Sequence, residues 1–70
     1  MALLEDIARK LAEDSFAQAV ANGDEALIED VSKAVGATSN TLQEAFLTAI
    51  RYLRADARAR ELLARRAGSG

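Results

Sequence analysis

The side chains here that could take part in chemistry are charged ones, because the 70 residues include no His, Cys or Trp. His is the commonest general base, and His and Cys are the commonest zinc ligands. Neighbouring acids recur at Glu5 and Asp6, Glu13 and Asp14, Asp24 and Glu25, and Glu29 and Asp30. Adjacent side chains on a helix point about 100° apart, so these pairs cannot form a compact carboxylate dyad. We therefore predict solvated acids, with no catalytic residue, metal site, cofactor or enzyme activity.

The second chemically notable feature is an excess of arginine at one end of the chain. Residues 51–70 contain six Arg and two acids, a charge of +4, whereas residues 1–50 contain three bases and nine acids, a charge of −6. On a helix, steps of three and four residues align side chains in one row. We call the resulting row the basic stripe; it consists of Arg51, Arg54, Arg58 and Arg65.

The basic stripe has two interpretations, which the sequence leaves open. Arg near a helix C-terminus complements the helix macrodipole while its head stays solvated. The same row could instead bind phosphate or an acidic protein surface, including the acidic first half of a second copy. No aromatic side chain falls within the row, which argues against single-stranded nucleic acid as its ligand.

A long helix at residues 40–66 must position the stripe, since neither Gly nor Pro interrupts those residues. At 1.5 Å per residue it would be about 40 Å long. The face predicted to pack against the rest of the domain consists of Leu42, Phe46, Ala49, Ile50, Leu53 and Ala57. Leu47 falls with the basic stripe on the nearly opposite face. Beyond Ala57 the core face is interrupted by Arg60, so the apolar residues of the last turns point elsewhere.

The third face of this helix is the predicted partner interface. We call it the Tyr52 flank; it consists of Tyr52, Ala55, Ala59, Leu62 and Leu63, with Thr48 at its start. The first helix could cover it, but at about 30 Å that helix must also cover the core face. Small Ala between larger anchors, at spacings of four and three, is typical of a paired-helix seam. We predict that a second copy or a partner helix covers this flank.

Two shorter helices precede the long one. The first is predicted at residues 2–21, with a buried face of Leu4, Ile7, Ala8, Leu11, Ala12, Ser15, Phe16 and Ala19. Asn22 and Gly23 tolerate the left-handed conformation that ends a helix, and Asp24 is the predicted N-cap of the second, at about 25–35.

Gly36 is predicted to end the second helix, and a capped start of the third should follow. Two reciprocal capping pairs fit the sequence there, Thr41 with Glu44 or Asn40 with Gln43. The residues alone do not decide between them.

Length and composition predict one domain, at residues 1–66, followed by a flexible tail at 67–70. A chain this short buries only about 60% of its unfolded surface, so an all-α domain of three helices would gain stability from dimerisation or a partner helix. No apolar run approaches the length of a membrane span, and the first six residues lack the features of a signal peptide. We therefore expect a cytoplasmic protein without membrane contact.

Residues 31–42, VSKAVGATSNTL, resemble the bend of bacterial helix-turn-helix regulators. Small Ser32 lies four residues before Gly36, Ala37 follows the Gly, and apolar Leu42 lies six residues beyond it. The pattern provides a close helix contact, a Gly at the bend and an apolar anchor. The resemblance implies that the long helix is a recognition helix, with its DNA-reading residues in the major groove. Those residues would be Ser39, Asn40, Gln43 and Glu44.

Two functions follow from these features. The first is a small non-catalytic interaction module, acting as a homodimer or as the partner of another protein. The alternative is a small helix-turn-helix DNA-binding regulator. DNA binding should depend steeply on salt, whereas an interaction module should show concentration-dependent stability.

Overall fold

The computed structural model describes residues 2–69 and contains three helices there: α1 (Leu3–Asn22), α2 (Ala26–Gly36) and α3 (Asn40–Ser69). Those residues include no β-strand. The predicted all-α class, with three helices and the longest one last, is confirmed. Within the same residues no helix is both long and apolar enough to cross a membrane.

The core is built around the face of α3 that the sequence predicted to be buried. Phe46 and Ile50 are fully buried, and they cluster with Ala12 and Ala19 of α1 and Ile28 of α2. The other residues of the predicted face are half-buried; they are Leu42, Ala49, Leu53 and Ala57. Burying a Phe or Ile side chain stabilises a fold by about 1.5–3 kcal/mol, so this face supplies much of the domain's stability.

Small residues on α1 allow it to approach α3 closely. Its buried residues are Ala8, Ala12, Ser15 and Ala19, spaced four, three and four apart. The prediction that Ile7 shares this buried face is wrong, because Ile7 remains 44% exposed. Ile7 lies about 100° around the helix from Ala8. The contact between α1 and α3 is centred on Ala8 and the other small residues, so Ile7 lies at the edge of that contact.

The loop between α1 and α2 agrees with the sequence at Gly23 but not at Asp24. Gly23 closes α1 in the left-handed conformation, with φ 63°. The prediction that the Asp24 side chain caps α2 is wrong, because no side chain caps this helix. Asp24 instead contributes its backbone carbonyl, which accepts a hydrogen bond from the Leu27 N–H at 3.3 Å. The residue that flanks the helix is Glu25, which already has helical φ and ψ. A side chain that caps a helix usually comes from a residue with an extended backbone. Glu25 has a helical backbone, so its side chain does not cap α2.

Helix α3 runs beside α1 in the same direction and extends past it. One groove joins residues 5–13 of α1 to residues 45–53 of α3, and a second joins Phe16 and Val20 to Arg54. The connections before and after α2 are three residues each and reverse the chain twice, which gives α1 and α3 the same general direction. All residues of α3 from Arg58 to Gly68 are exposed. At 1.5 Å per residue this free end is about 16 Å long, and it contributes to an overall extent of 49 × 29 × 13 Å.

The end of α3 differs from the prediction. The helix was expected to stop at residue 66 before a tail at 67–70, but α3 includes Ala67, Gly68 and Ser69. Ala is the best helix former, and Gly68 does not adopt the left-handed conformation that would close the helix. Gly70 lies outside the described residues.

Candidate interaction surface

The Tyr52 flank is exposed along its whole length. Tyr52 is 72% exposed, Leu63 66% and Leu62 45%, and the two alanines between them, Ala55 and Ala59, are also exposed. The structure therefore brings the five predicted interface residues together on one side of one helix. These three large side chains form a row of exposed apolar surface along one helix.

The second half of the flank lies on the free end of α3, where neither α1 nor α2 supports the helix. From Arg58 to Gly68 every residue is exposed, so packing does not hold this segment in a helical conformation. Isolated helices shorter than about 12–15 residues are marginal in water, because nucleation is unfavourable. The free end can propagate from the packed half of α3, but contact with another surface would stabilise it further.

The first half of the flank borders a groove between α1 and α3. The groove has a volume of about 530 Å³, and its α3 side is formed by Ala45, Thr48, Ala49, Tyr52 and Leu53. Four of these side chains are apolar or aromatic, and two are Ala, so another helix could approach the floor closely. The groove and the exposed flank form one continuous surface through Tyr52.

The α1 side of this groove is charged. Glu5, Asp6 and Glu13 line it together with Arg9. Arg9 lies 3.6 Å from Asp6 and 4.0 Å from Glu13, and all three side chains are at least half-exposed. Ion pairs this long and this exposed are worth little, so three acids and one base give the rim a net negative character.

The basic stripe faces solvent, but Leu47 does not share its environment. Arg51, Arg54, Arg58 and Arg65 are all exposed. Leu47 was placed with the stripe on the solvent side, yet it is half-buried and packs against the core cluster. The core cluster around Phe46 and Ile50 includes residues of both α1 and α2, so the buried sector of α3 is wider there than beyond Arg58.

The four candidate DNA-reading residues lie at the α2–α3 bend in different environments. The Ser39 hydroxyl accepts a hydrogen bond from the Leu42 N–H at 3.0 Å, so Ser39 is the N-cap of α3. The two capping pairs predicted from the sequence are therefore wrong, because the cap forms one residue earlier and Gln43 bonds elsewhere. Asn40 and Glu44 are exposed, whereas Ser39 and Gln43 are half-buried.

Gln43 links α3 to α2 across the bend. Its side-chain amide donates to the Ser32 carbonyl at 2.9 Å and lies 3.3 Å from the Ser32 hydroxyl, and Ser32 is buried. A Cβ at Gly36 would lie 2.6 Å from Cδ and 2.7 Å from Oε1 of Gln43. The sequence predicted that the bend needs glycine at position 36 for its backbone conformation, but the φ angle of Gly36 is not positive. A side chain at position 36 would meet Gln43, so glycine there allows Gln43 to keep its hydrogen bonds to Ser32.

Comparison with known proteins gives no indication of function, so the surfaces of the molecule are the basis for a proposal. The chain matches no family model, no curated protein and no solved structure. Within residues 2–69, no three acidic side chains lie together in a group that could hold a metal ion.

Two features of the surface could not be found by considering α3 alone. The acids of the groove were interpreted as solvated charge on α1, and only the parallel packing of α1 and α3 brings three of them beside Tyr52. The contact between Gln43 and Ser32 is likewise a consequence of the bend. Ser32 and Gly36 are four residues apart and therefore lie on one side of α2. This spacing was the one sign in the sequence that α3 could contact α2 at these two residues.

Proposed function

We propose that this protein is a small non-catalytic helical module that associates with a second copy of itself or with another protein through the Tyr52 flank. The observation that carries the proposal is the free end of α3. Eleven consecutive residues, 58–68, are exposed although Leu62 and Leu63 are among them. A partner surface would remove these side chains from water and hold the end of the helix.

The energy available from the flank favours a complex of modest affinity. Full burial of Tyr52, Leu62 and Leu63 would contribute about 1.5–3 kcal/mol for each side chain. Association costs at least about 4 kcal/mol in lost translational and rotational freedom. The apolar anchors of one copy therefore exceed this lowest cost by a few kcal/mol at most, and in a homodimer the anchors of the second copy would add a similar amount. Charge complementarity can add to this balance, whereas any ordering of the end of α3 on binding subtracts from it.

Sedimentation over a dilution series of wild type and of Leu62→Asp tests the proposal. We expect the wild-type mass to fall on dilution and Leu62→Asp to remain a monomer, because a carboxylate would be buried without a partner. Val20→Asp is the matched control, since Val20 is 68% exposed but lies on α1 away from the flank. A protein that is monomeric at high concentration, and equally stable with Asp at position 62, would remove the proposal.

DNA binding by the bend is the second candidate. It is supported by the close packing that the helix-turn-helix pattern requires: Ser32 is buried and Leu42 is half-buried. The engagement of Ser39 as a cap and of Gln43 with Ser32 weighs against it, because both side chains would have to leave these partners to reach a base.

Titration of labelled random duplex DNA at low salt separates the two candidates. Non-specific binding of a DNA reader should appear between about 1 and 100 µM and weaken steeply with salt. In that case Asn40→Ala should reduce discrimination between sequences, and replacing Arg51, Arg54 and Arg58 by Gln should weaken binding to all of them. The interaction module predicts no binding in this range.

A further inference from the structure

We propose that the occupant of the α1–α3 groove is the free end of α3 from a second copy of this chain, bound antiparallel. The free end of each copy would lie in the groove of the other, and a twofold axis would pass at the level of Ala57. This arrangement rests on the proposed function and adds the partner, the orientation and the register.

The spacing of residues along α3 fits an antiparallel pair in one register. Ala45, Tyr52, Ala59 and Arg66 recur every seven residues, and Thr48, Ala55 and Leu62 do the same. Residue numbers fall along one helix of an antiparallel pair as they rise along the other. Placing Tyr52 against Leu62 of the second copy therefore places Ala55 against Ala59, and Thr48 against Arg66. Large side chains meet at the ends of the seam, and small ones meet at its centre.

The charges around the groove complement those of the free end. The groove rim is net negative, with Glu5, Asp6 and Glu13 around Arg9. In the antiparallel register, Arg60 of the second copy lies near Glu13, and its Arg66 lies near Glu5 and Asp6. More generally, the free end, with four Arg and one Glu, carries +3 and meets the body, in which residues 1–50 carry −6. Arg60 bonds Asp56 of its own helix at 2.9 Å, but this pair is exposed and weak enough to exchange partners.

A parallel pair does not have this complementarity. It would place Arg66 against Arg66 and the two free ends, each of charge +3, side by side and away from either groove. In the antiparallel arrangement most of the basic stripe also stays clear of its copy. Arg54, Arg58 and Arg65 lie roughly 120° or more around α3 from Tyr52, which faces the groove, whereas Arg51 lies only about 20° from Leu62 and borders the seam. Arg54, Arg58 and Arg65 then remain solvated in the dimer.

Disulfide trapping tests the orientation without interference, because the chain has no Cys. We would mix two single variants, Thr48→Cys and Arg66→Cys, under mild oxidation. The antiparallel register brings these positions together, so the mixed disulfide should accumulate. Each cysteine should form no disulfide with its own kind, because the two Thr48 positions would be roughly 27 Å apart along the seam and a disulfide needs a Cα separation below about 7 Å.

A charge exchange tests the groove itself. Glu13→Lys and Arg60→Glu should each raise the dimer dissociation constant, by roughly two- to thirtyfold for an exposed pair made twice. The double variant should recover most of the wild-type value. Glu13→Lys with Arg54→Glu is the matched control; it has the same net charge, but Arg54 lies away from the flank, and no recovery is expected.

The outcomes separate this arrangement from the proposed function. A dimer that Leu62→Asp abolishes, but in which Thr48→Cys links to itself, would be parallel and would overturn the arrangement alone. A dimer whose dissociation constant does not recover in the double charge variant would also overturn the arrangement alone. A monomer at the highest concentration tested would overturn both.

Discussion

Replacing Gly36 by Ala is expected to destabilise this protein, although glycine normally weakens a helix. Gly36 is the last residue of α2, and its backbone would accept any side chain. The obstacle is Gln43, whose amide carbon would lie 2.6 Å from the new methyl group. The end of a Gln side chain can move away without disturbing the backbone. It cannot do so and keep its hydrogen bonds to Ser32.

The free energies on each side can be estimated. Ala is favoured over Gly in a helix by up to about 1 kcal/mol, and at a helix end by less. Displacing Gln43 removes its 2.9 Å bond and its 3.3 Å contact to Ser32. A hydrogen bond contributes about 0.5–1.5 kcal/mol, and leaving a buried acceptor unsatisfied costs about 1–3 kcal/mol. We expect a net loss of about 1 kcal/mol, which would lower the melting temperature by about 4–8 °C.

A double-mutant cycle with Gln43→Ala measures the effect directly. Removing the Gln43 side chain removes the three atoms nearest to the new methyl group, so Gly36→Ala should stabilise that background by about 0.5–1 kcal/mol. The change of sign is the prediction, and urea denaturation of the four proteins is the assay. If Gly36→Ala were equally stabilising in both backgrounds, the account of the bend would be refuted.

Two further predictions concern the cap and the core. Ser39→Ala should cost about 1 kcal/mol in urea denaturation, because the Leu42 N–H loses its acceptor; Asp24→Ala, which removes no cap, should cost less than about 0.5 kcal/mol. Phe46→Ala should cost about 3–5 kcal/mol and leave much of this small protein unfolded by circular dichroism, whereas Tyr52→Ala should leave the monomer folded. A folded Phe46→Ala protein with a wild-type midpoint would contradict the assigned core.

The core of the fold was predictable because it depends on local periodicity. Phe46 and Ile50 are four residues apart on a helix with no breaker, and that spacing fixes the buried face. Gly23 was predictable for the same reason, since a left-handed residue after an apolar helix ends it. Each of these features depends only on residues within one or two turns.

The errors arose where two helices meet. Ile7 was assigned to the buried face by its period, but the close contact made by Ala8 leaves it at the edge. Gln43 was considered as a capping residue for its own helix, whereas its partner, Ser32, is eleven residues earlier in the chain. The acids of the groove could not be related to Tyr52 until α1 and α3 were known to run parallel. Contacts between distant residues are not specified by helical spacing.

Amide hydrogen exchange across a range of protein concentrations tests most directly whether association holds the free end of α3. At low concentration we expect residues 58–68 to exchange quickly, because all of them are exposed, while amides near Phe46 and Ile50 stay protected. As the concentration rises, protection should appear in residues 58–68 and follow the fraction of dimer. Protection in this segment that does not change with concentration would contradict the account.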